Sequence, residues 1–410
     1  MLAMFKNHYD SAFLIVGNAM SRVLMIFSTI IMVKLLGDNI YSKYALLYNG
    51  LLSLQVFLVF GLNAVATRRI AQGENLSVVF NKIFKIVSII TIPFFLVFYL
   101  ISQTNFFTSL NYFREVNFLI LVFSALSLVF FSLTVSFLYG LENKKKIALF
   151  NIFNALLILV FISVSSLSKN LNLIFFSYGL ANIIGVLFFL FKHYRISDTK
   201  KLNISNEKEY VKQGFPIFLS ALLVTPIIGV LYTFMNAGGL GEEISVFSVA
   251  MQWYNIILFV PGVLANLLLV DFSKKNKILD IRFYTKQVFI NFTITLIISL
   301  FVFIALYFIL PIYGKLYQEN LIIFVVFILV ALVNSFNTVA GQFFISINRQ
   351  IFGFYFNLVW AVLIVAMTKL ALNYGYGLKG VALSFLLAYL LHAFNQNIYI
   401  YRFLKSSKNG

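Results

Sequence analysis

The sequence predicts an all-α polytopic membrane protein of about 12 transmembrane helices in two six-helix lobes. Three observations predict it. Of the 410 residues, 61% are hydrophobic and only 11% are charged, against about 25% charged in an ordinary soluble domain. The few charges leave long uncharged runs between them. The 31 lysines and arginines also alternate between crowded and sparse segments, the pattern of membrane topology. A chain this apolar cannot clothe a globule in polar surface, so lipid must be its solvent.

A helix needs about 20 apolar residues to cross the hydrocarbon, and a charge at the bilayer centre costs several kcal/mol. Uncharged intervals of that length therefore mark the crossings. The first helix, residues 11–35, is broken only by Arg22 and edged by Lys34. The next five lie between Lys43 and Arg68, Lys85 and Arg114, Glu115 and Glu142, Lys146 and Lys169, and Lys169 and Lys192. After a polar loop the series resumes between Lys212 and Glu242, Glu243 and Asp271, and Lys286 and Lys315. It closes between Glu319 and Arg349, Arg349 and Lys369, and Lys379 and Arg402. A membrane barrel would alternate apolar and polar residues, which residues 323–333 do not.

The polar loop 192–212 falls at the midpoint and divides an N-terminal lobe, 1–200, from a C-terminal lobe, 201–410, with six crossings expected in each. Leu36-Gly37-Asp38 before Ser42-Lys43-Tyr44-Ala45 is echoed about 204 residues later by Leu240-Gly241-Glu242 before Ser245-Val246-Phe247. Such an echo is the mark of a parallel duplication, a common transporter design. With the N-terminus inside, the inner segments hold 23 of the 31 basic residues and the outer segments seven, Arg22 being the last. That bias places both termini in the cytoplasm. The first apolar segment is too long for a cleaved signal peptide, is interrupted by Arg22 and lacks a small-residue cleavage site. Residues 64–80, with Arg68 and Arg69, are expected to lie along the headgroups.

The formal net charge of +18 does not mean nucleic acid, because a groove-reading surface needs a clustered basic footprint and these charges are spread between apolar segments. There is no cysteine, hence no disulfide and no soft-metal site. His8, His193 and His392 are scattered, so no metal is expected. Nucleotide loops, paired catalytic carboxylates and Ser/His/Asp clusters are lacking, so the chain reads as a protein without enzymatic activity or cofactor.

Arg22 stands out because about eleven residues separate it from each end of its helix, which puts it near the bilayer midplane. Such a residue faces protein or a watery cavity and is a functional candidate by default; the competing reading is a structural arginine held by carbonyls or asparagines. Ser11, Asn18, Arg22 and Thr29 share a helical stripe, as do Ser42, Asn49 and Ser53. In the eighth helix Ser248, Gln252, Asn255, Gly262 and Asn266 repeat the spacing, and in the tenth Asn334, Asn337 and Gly341. Two readings stand for these stripes: a shared hydrophilic cavity, or hydrogen bonds that join helices. Lys34, Lys43 and Lys369, near outer helix ends, either snorkel or line an outer cavity. Asp10, Asp38 and Asp271 sit near helix ends and are weak candidates for ion coupling. Pro93, Pro216, Pro226 and Pro261 are expected to break or bend the third, seventh and eighth helices.

Gly241-Glu242-Glu243-Ile244-Ser245-Val246-Phe247-Ser248-Val249-Ala250-Met251-Gln252-Trp253, continuing to Phe259-Val260-Pro261-Gly262, resembles the O-antigen flippases (Wzx). These belong to the multidrug/oligosaccharidyl-lipid/polysaccharide (MOP) exporter superfamily. Gly61-Leu62-Asn63 before Arg68-Arg69 and Tyr374-Gly375-Tyr376-Gly377 before the last helix are further matches, and Ser21-Arg22-Val23-Leu24 is similar to the opening of the related lipid II flippases. Val270-Asp271-Phe272-Ser273 departs from the Leu-Ser ending usual in the family. The resemblance covers essentially the whole chain. It implies movement of undecaprenyl-diphosphate-linked oligosaccharide between leaflets of a bacterial inner membrane, beside membrane lipids and the polymerase and chain-length regulator of the pathway. Arg22 would then hold the diphosphate, and Asn18, Lys43, Asn49, Gln252, Asn255, Asn337 and Lys369 would complete the binding set. The rival readings are a multidrug exporter of the same superfamily, which would want a buried acid, and an O-antigen polymerase, which would want a long outer loop. The longest outer loop here is 102–115.

Overall fold

The computed structural model describes residues 2–103, 108–193, 207–262, 264, 281–347 and 349–409. Among the described residues every regular element is helical. The chain begins with α1 (Leu2–Val59), α2 (Leu62–Ala71), α3 (Leu76–Gln103), a 3-10 turn (Thr108–Glu115), α4 (Phe118–Gly140), α5 (Lys144–Ser166) and α6 (Leu171–His193). It continues with α7 (Glu207–Leu222), α8 (Thr225–Ala237) and α9 (Glu243–Ile257). The last are α10 (Ile281–Tyr313), α11 (Lys315–Glu319), α12 (Leu321–Ser346), α13 (Gln350–Asn373) and α14 (Gly377–Asn409).

Among the described residues ten stretches are long and apolar enough to cross a membrane. The first, Phe13–Val59, has 47 residues. That is roughly 70 Å of helix, more than twice the hydrocarbon thickness. It breaks at Gly37, where φ is 73° and ψ 166°, a conformation essentially confined to glycine, so it makes two crossings. With the second crossing of α1 the count among the described residues is eleven, and α9 is a further, shorter apolar helix. The polar loop after Lys192 and the segment from Val270 to Ser273 also lie outside the described residues.

Lipid as the solvent is written into α10. Its buried face carries Asn291, Thr295 and Ser299 at helical spacing, while Phe289, Phe301, Tyr307 and Phe308 are each more than 60% exposed. A helix with polar atoms inside and aromatics outside is unstable in water and suited to hydrocarbon. Asn291 Nδ2 donates to the Ser335 carbonyl and the Thr338 hydroxyl of α12, both at 2.8 Å.

Of the prolines expected to break helices, two lie in unbroken helix, and a third follows a break. α3 runs through Pro93 and α7 through Pro216 without a break. The interruption falls at Leu223 and Val224, and Pro226 follows it in the first turn of α8, where its missing N–H would have had no partner anyway.

Two compact units form, Met1–Thr233 and Phe234–Gly410. In unit 1, α1 packs on α5, α4 and α5 on α6, and α2 on α4. α7 belongs with this unit because it packs on α1, α2 and α3. In unit 2, α14 packs on α12 and α13, and α12 on α9 and α10. Each unit contains a matching tyrosine pair. Tyr48 and Tyr178, 130 residues apart, bring their hydroxyls to 3.3 Å. Tyr254 and Tyr389, 135 residues apart, bring theirs to 3.2 Å. The near-equal separations support the internal duplication more firmly than the Leu-Gly-acid echo does.

Candidate functional site

Antiparallel connection of α3, α4 and α5 gathers Arg68, Arg69, Lys82, Lys85 and Lys144 to Lys146 at one end of unit 1, its basic end. Depth in the unit is measured from there. Gly17 meets α5 so closely that a Cβ would lie 2.5 Å from that of Ala148. One residue on, Asn18 is buried and accepts a hydrogen bond from Asn151 Nδ2 at 2.7 Å. Arg22, one turn further, therefore lies level with the middle of α5, the depth that spacing implied.

The face it occupies is informative. Val16, Met20, Val23 and Phe27 form the exposed apolar side of this helix. At 100° per residue, Arg22 lies about 130° around from the middle of that side, on the stripe of Asn18 and Thr29. Those two are buried and Arg22 is exposed. It is the exposed member of that stripe, with Tyr139, next to the basic end of α4, within electrostatic reach.

The other candidates of unit 1 lie elsewhere. Lys43 is beyond the Gly37 bend, at the end opposite the basic one, paired with Glu115 at 3.1 Å. Asn49 is half-buried, donating to the Ala45 carbonyl at 2.9 Å. Ser53 donates to the Asn49 carbonyl and lies under Gly229 of α8, where a Cβ would come within 2.5 Å of its hydroxyl. In unit 2, Gln252 is half-buried and Asn255 exposed on α9. Asn337 Nδ2 donates to Asn334 Oδ1 at 3.1 Å, and Asn334 Nδ2 to the Tyr254 hydroxyl at 2.7 Å. That chain ends on Tyr389. The structure thus ties Asn337 to α9 between Gln252 and Asn255. Lys369 is exposed on α13, on the side of Leu358 and Val362.

Sequence reasoning missed two buried clusters. In unit 1 Asn154 Nδ2 donates to Asn182 Oδ1 at 3.1 Å, and Asn182 Nδ2 to the Tyr178 carbonyl. In unit 2 Trp360 packs on Tyr389 and His392, whose Nδ1 lies 3.1 Å from the Phe356 carbonyl. The tyrosines read as ordinary apolar filling, and only their partners over 100 residues away mark them. An apolar recess of about 190 Å³ between α3, α4 and α6, lined by Phe80, Phe84, Phe130 and Leu187 among others, offers only Thr134 as a polar side chain. It suits hydrocarbon rather than sugar.

Two measurements follow from these bonds. A double-mutant cycle on Asn18→Ala and Asn151→Ala, read by unfolding in micelles, should give a coupling of about 0.6 to 1.7 kcal/mol. Tyr254→Phe should lower the stability of unit 2 by about 1–2 kcal/mol, because it removes the partner of Asn334 and of the Tyr389 hydroxyl.

The fold is that of membrane transporters of the MOP superfamily. A multidrug resistance MATE family transporter of that superfamily, in an inward-facing conformation, is similar at a TM-score of 0.73 and 14% identity, over 95% of this chain and 96% of that one. An outward-facing conformation of such a transporter gives 0.71 and 15%, over 98% and 95%. MATE in the straight conformation gives 0.67 and 16%, over 98% and 96%. At these identities the likeness is one of fold. No curated protein matches in sequence. The chain belongs to the polysaccharide biosynthesis protein family, whose pattern it matches over residues 9–268.

Proposed function

We propose that the protein is a flippase that moves an undecaprenyl-diphosphate-linked oligosaccharide from the cytoplasmic to the periplasmic leaflet by alternating access. The oligosaccharide would be an O-antigen or capsule repeat unit, and the membrane a bacterial inner membrane with both termini in the cytoplasm, as the 23-to-seven basic bias requires. The observation that carries this reading is Arg22, an exposed cation on the stripe where Asn18 and Thr29 are buried, in a family of polysaccharide biosynthesis proteins.

The division of labour is physical. The isoprenoid tail stays in hydrocarbon throughout, whereas diphosphate and sugars need a polar route. A guanidinium offers diphosphate a planar fork of donors. Asn18, Asn49, Gln252, Asn255 and Asn337 supply amide donors and acceptors for hydroxyls, and Lys43 and Lys369 supply positive charge nearer the outer face. Each conformation must hold the substrate with a different affinity for the cycle to turn.

The test is to delete the gene and locate the lipid-linked oligosaccharide. Complete repeat units trapped on the cytoplasmic leaflet, with surface polymer lost, support the flippase. Single repeat units still reaching the surface would point to a polymerase and overturn it. The structural neighbours are multidrug transporters, so drug efflux is the second reading. Against it, no carboxylate lies near the middle of a span among the described residues, where a cationic drug would want one. New drug sensitivity with unchanged glycan would establish it.

A further inference from the structure

At the basic end of unit 1 is an ion-pair cluster with no part in the route described above. Arg69 of α2 is nearly buried, with 13% of its side chain exposed. Its Nη1 donates to Glu74 Oε1 and its Nη2 to Glu209 Oε2, each at 3.0 Å. Its Nε is buried with no hydrogen-bond partner among the described residues. The guanidinium carbon and Lys82 Nζ both lie 5.3 Å from the centre of the Tyr210 ring. Tyr210 is fully buried and donates its hydroxyl to Glu74. Lys85 of α3 pairs with Glu207 at 2.9 Å.

The cations stand on α2 and α3, whereas Glu207 and Glu209 come from the first turn of α7. Carboxylates in a first turn are favoured by the helix dipole with or without a cation to meet them. Lys85, Glu207 and Glu209 are 61%, 39% and 55% exposed, and ion pairs so open to solvent are weak and exchangeable. A guanidinium binds an oxyanion best through two parallel N–H bonds. Here each carboxylate takes one, and Nε takes none. The layout is that of a phosphate site occupied by Glu74 from the turn after α2 and by Glu207 and Glu209 from α7.

We propose that Arg69, Lys82 and Lys85 form a binding site for a diphosphate group, kept filled by Glu207 and Glu209, and that arrival of the diphosphate frees the start of α7. The site stands on these contacts alone; its assignment to the substrate headgroup rests on the flippase reading. A lipid diphosphate would then release the helix as it approaches from the cytoplasmic leaflet, coupling substrate arrival to movement of α7.

Calorimetric titration of the purified full-length protein with inorganic pyrophosphate tests this. The Glu207→Gln/Glu209→Gln variant removes the two carboxylates and keeps the cations, so its affinity should rise about tenfold, equivalent to 1.4 kcal/mol. Adding Arg69→Gln should abolish the gain. That change leaves Glu74 without its arginine, so Arg69→Gln/Glu74→Gln in the same background is titrated beside it, with thermal melting to show that each variant folds. An unchanged affinity in Glu207→Gln/Glu209→Gln, or a gain that survives loss of Arg69, overturns the proposal. Displacement of pyrophosphate by undecaprenyl diphosphate well before phosphatidylglycerol vesicles supports the substrate headgroup; equal displacement would make this a bulk-lipid site and overturn that assignment. Failure of the leaflet experiment would leave the pyrophosphate titration intact, and failure of the titration would leave the leaflet experiment intact.

Discussion

Arg22→Ala should abolish surface glycan while leaving the protein at least as stable as the wild type. The two effects have one origin. An arginine at the bilayer centre costs about 2.5–3.5 kcal/mol on insertion scales, and Arg22 is exposed where Asn18 and Thr29 are buried. Its removal should therefore raise the unfolding free energy by roughly 1–3 kcal/mol. On the flippase reading the same change deletes a charge-assisted contact with diphosphate, a loss of about 3 kcal/mol, which is roughly a 100-fold lower rate. Arg22→Lys keeps the charge but not the planar fork and should retain intermediate transport. Flipping in proteoliposomes and thermal melting in detergent read the two quantities separately. A structural arginine predicts the opposite sign in the melt: Arg22→Ala would destabilise, and transport would fall only with the folded fraction.

The spans and their number were legible because a charge inside hydrocarbon costs so much that its absence over about 20 residues is itself a signal. Gly37 was legible as part of a repeated Leu-Gly-acid turn, and the structure shows why glycine is needed there. The mid-bilayer depth expected for Arg22 came from simple spacing. Its partners did not. Asn18 finds Asn151 133 residues away, and Tyr48 finds Tyr178 at 130; local periodicity carries no record of which helix will lie alongside. The same holds for Arg69. Sequence placed it on a segment along the headgroups, yet half of its charge compensation comes from Glu209, 140 residues on. Charges mark where the chain leaves the membrane, not which helices pack together. That is why the polar loop suggested a division at 200 whereas α7 groups with the helices before it.

Gly61→Val should be the most damaging single substitution at the basic end of unit 1. Gly61 caps α2 in the left-handed region, with φ 71° and ψ 4°, which costs a side-chain-bearing residue roughly 1–2 kcal/mol. A Cβ there would also lie 2.4 Å from the Gly214 carbonyl oxygen of α7. That neighbour is backbone and cannot rotate aside, so overpacking adds about 1–3 kcal/mol. The reverse approach is equally tight, a Cβ on Gly214 lying 2.7 Å from the Phe60 carbonyl. Two glycines thus let α7 rest directly on the break between α1 and α2, and this seat holds Glu207, Glu209 and Tyr210 over their cations. Gly73 separates the two costs. Its φ is 93°, but nothing lies within 4 Å of a built Cβ, so Gly73→Ala should show only the backbone strain. Gly214→Ala should show the collision, offset by about 1 kcal/mol of helix propensity gained over glycine. In melting experiments Gly61→Val should lose at least as much as the other two combined, by additivity of separable terms. If Gly61→Val instead melts like Gly73→Ala, α7 is not seated on this break in the folded protein, and the contact that brings its carboxylates to Arg69 goes with it.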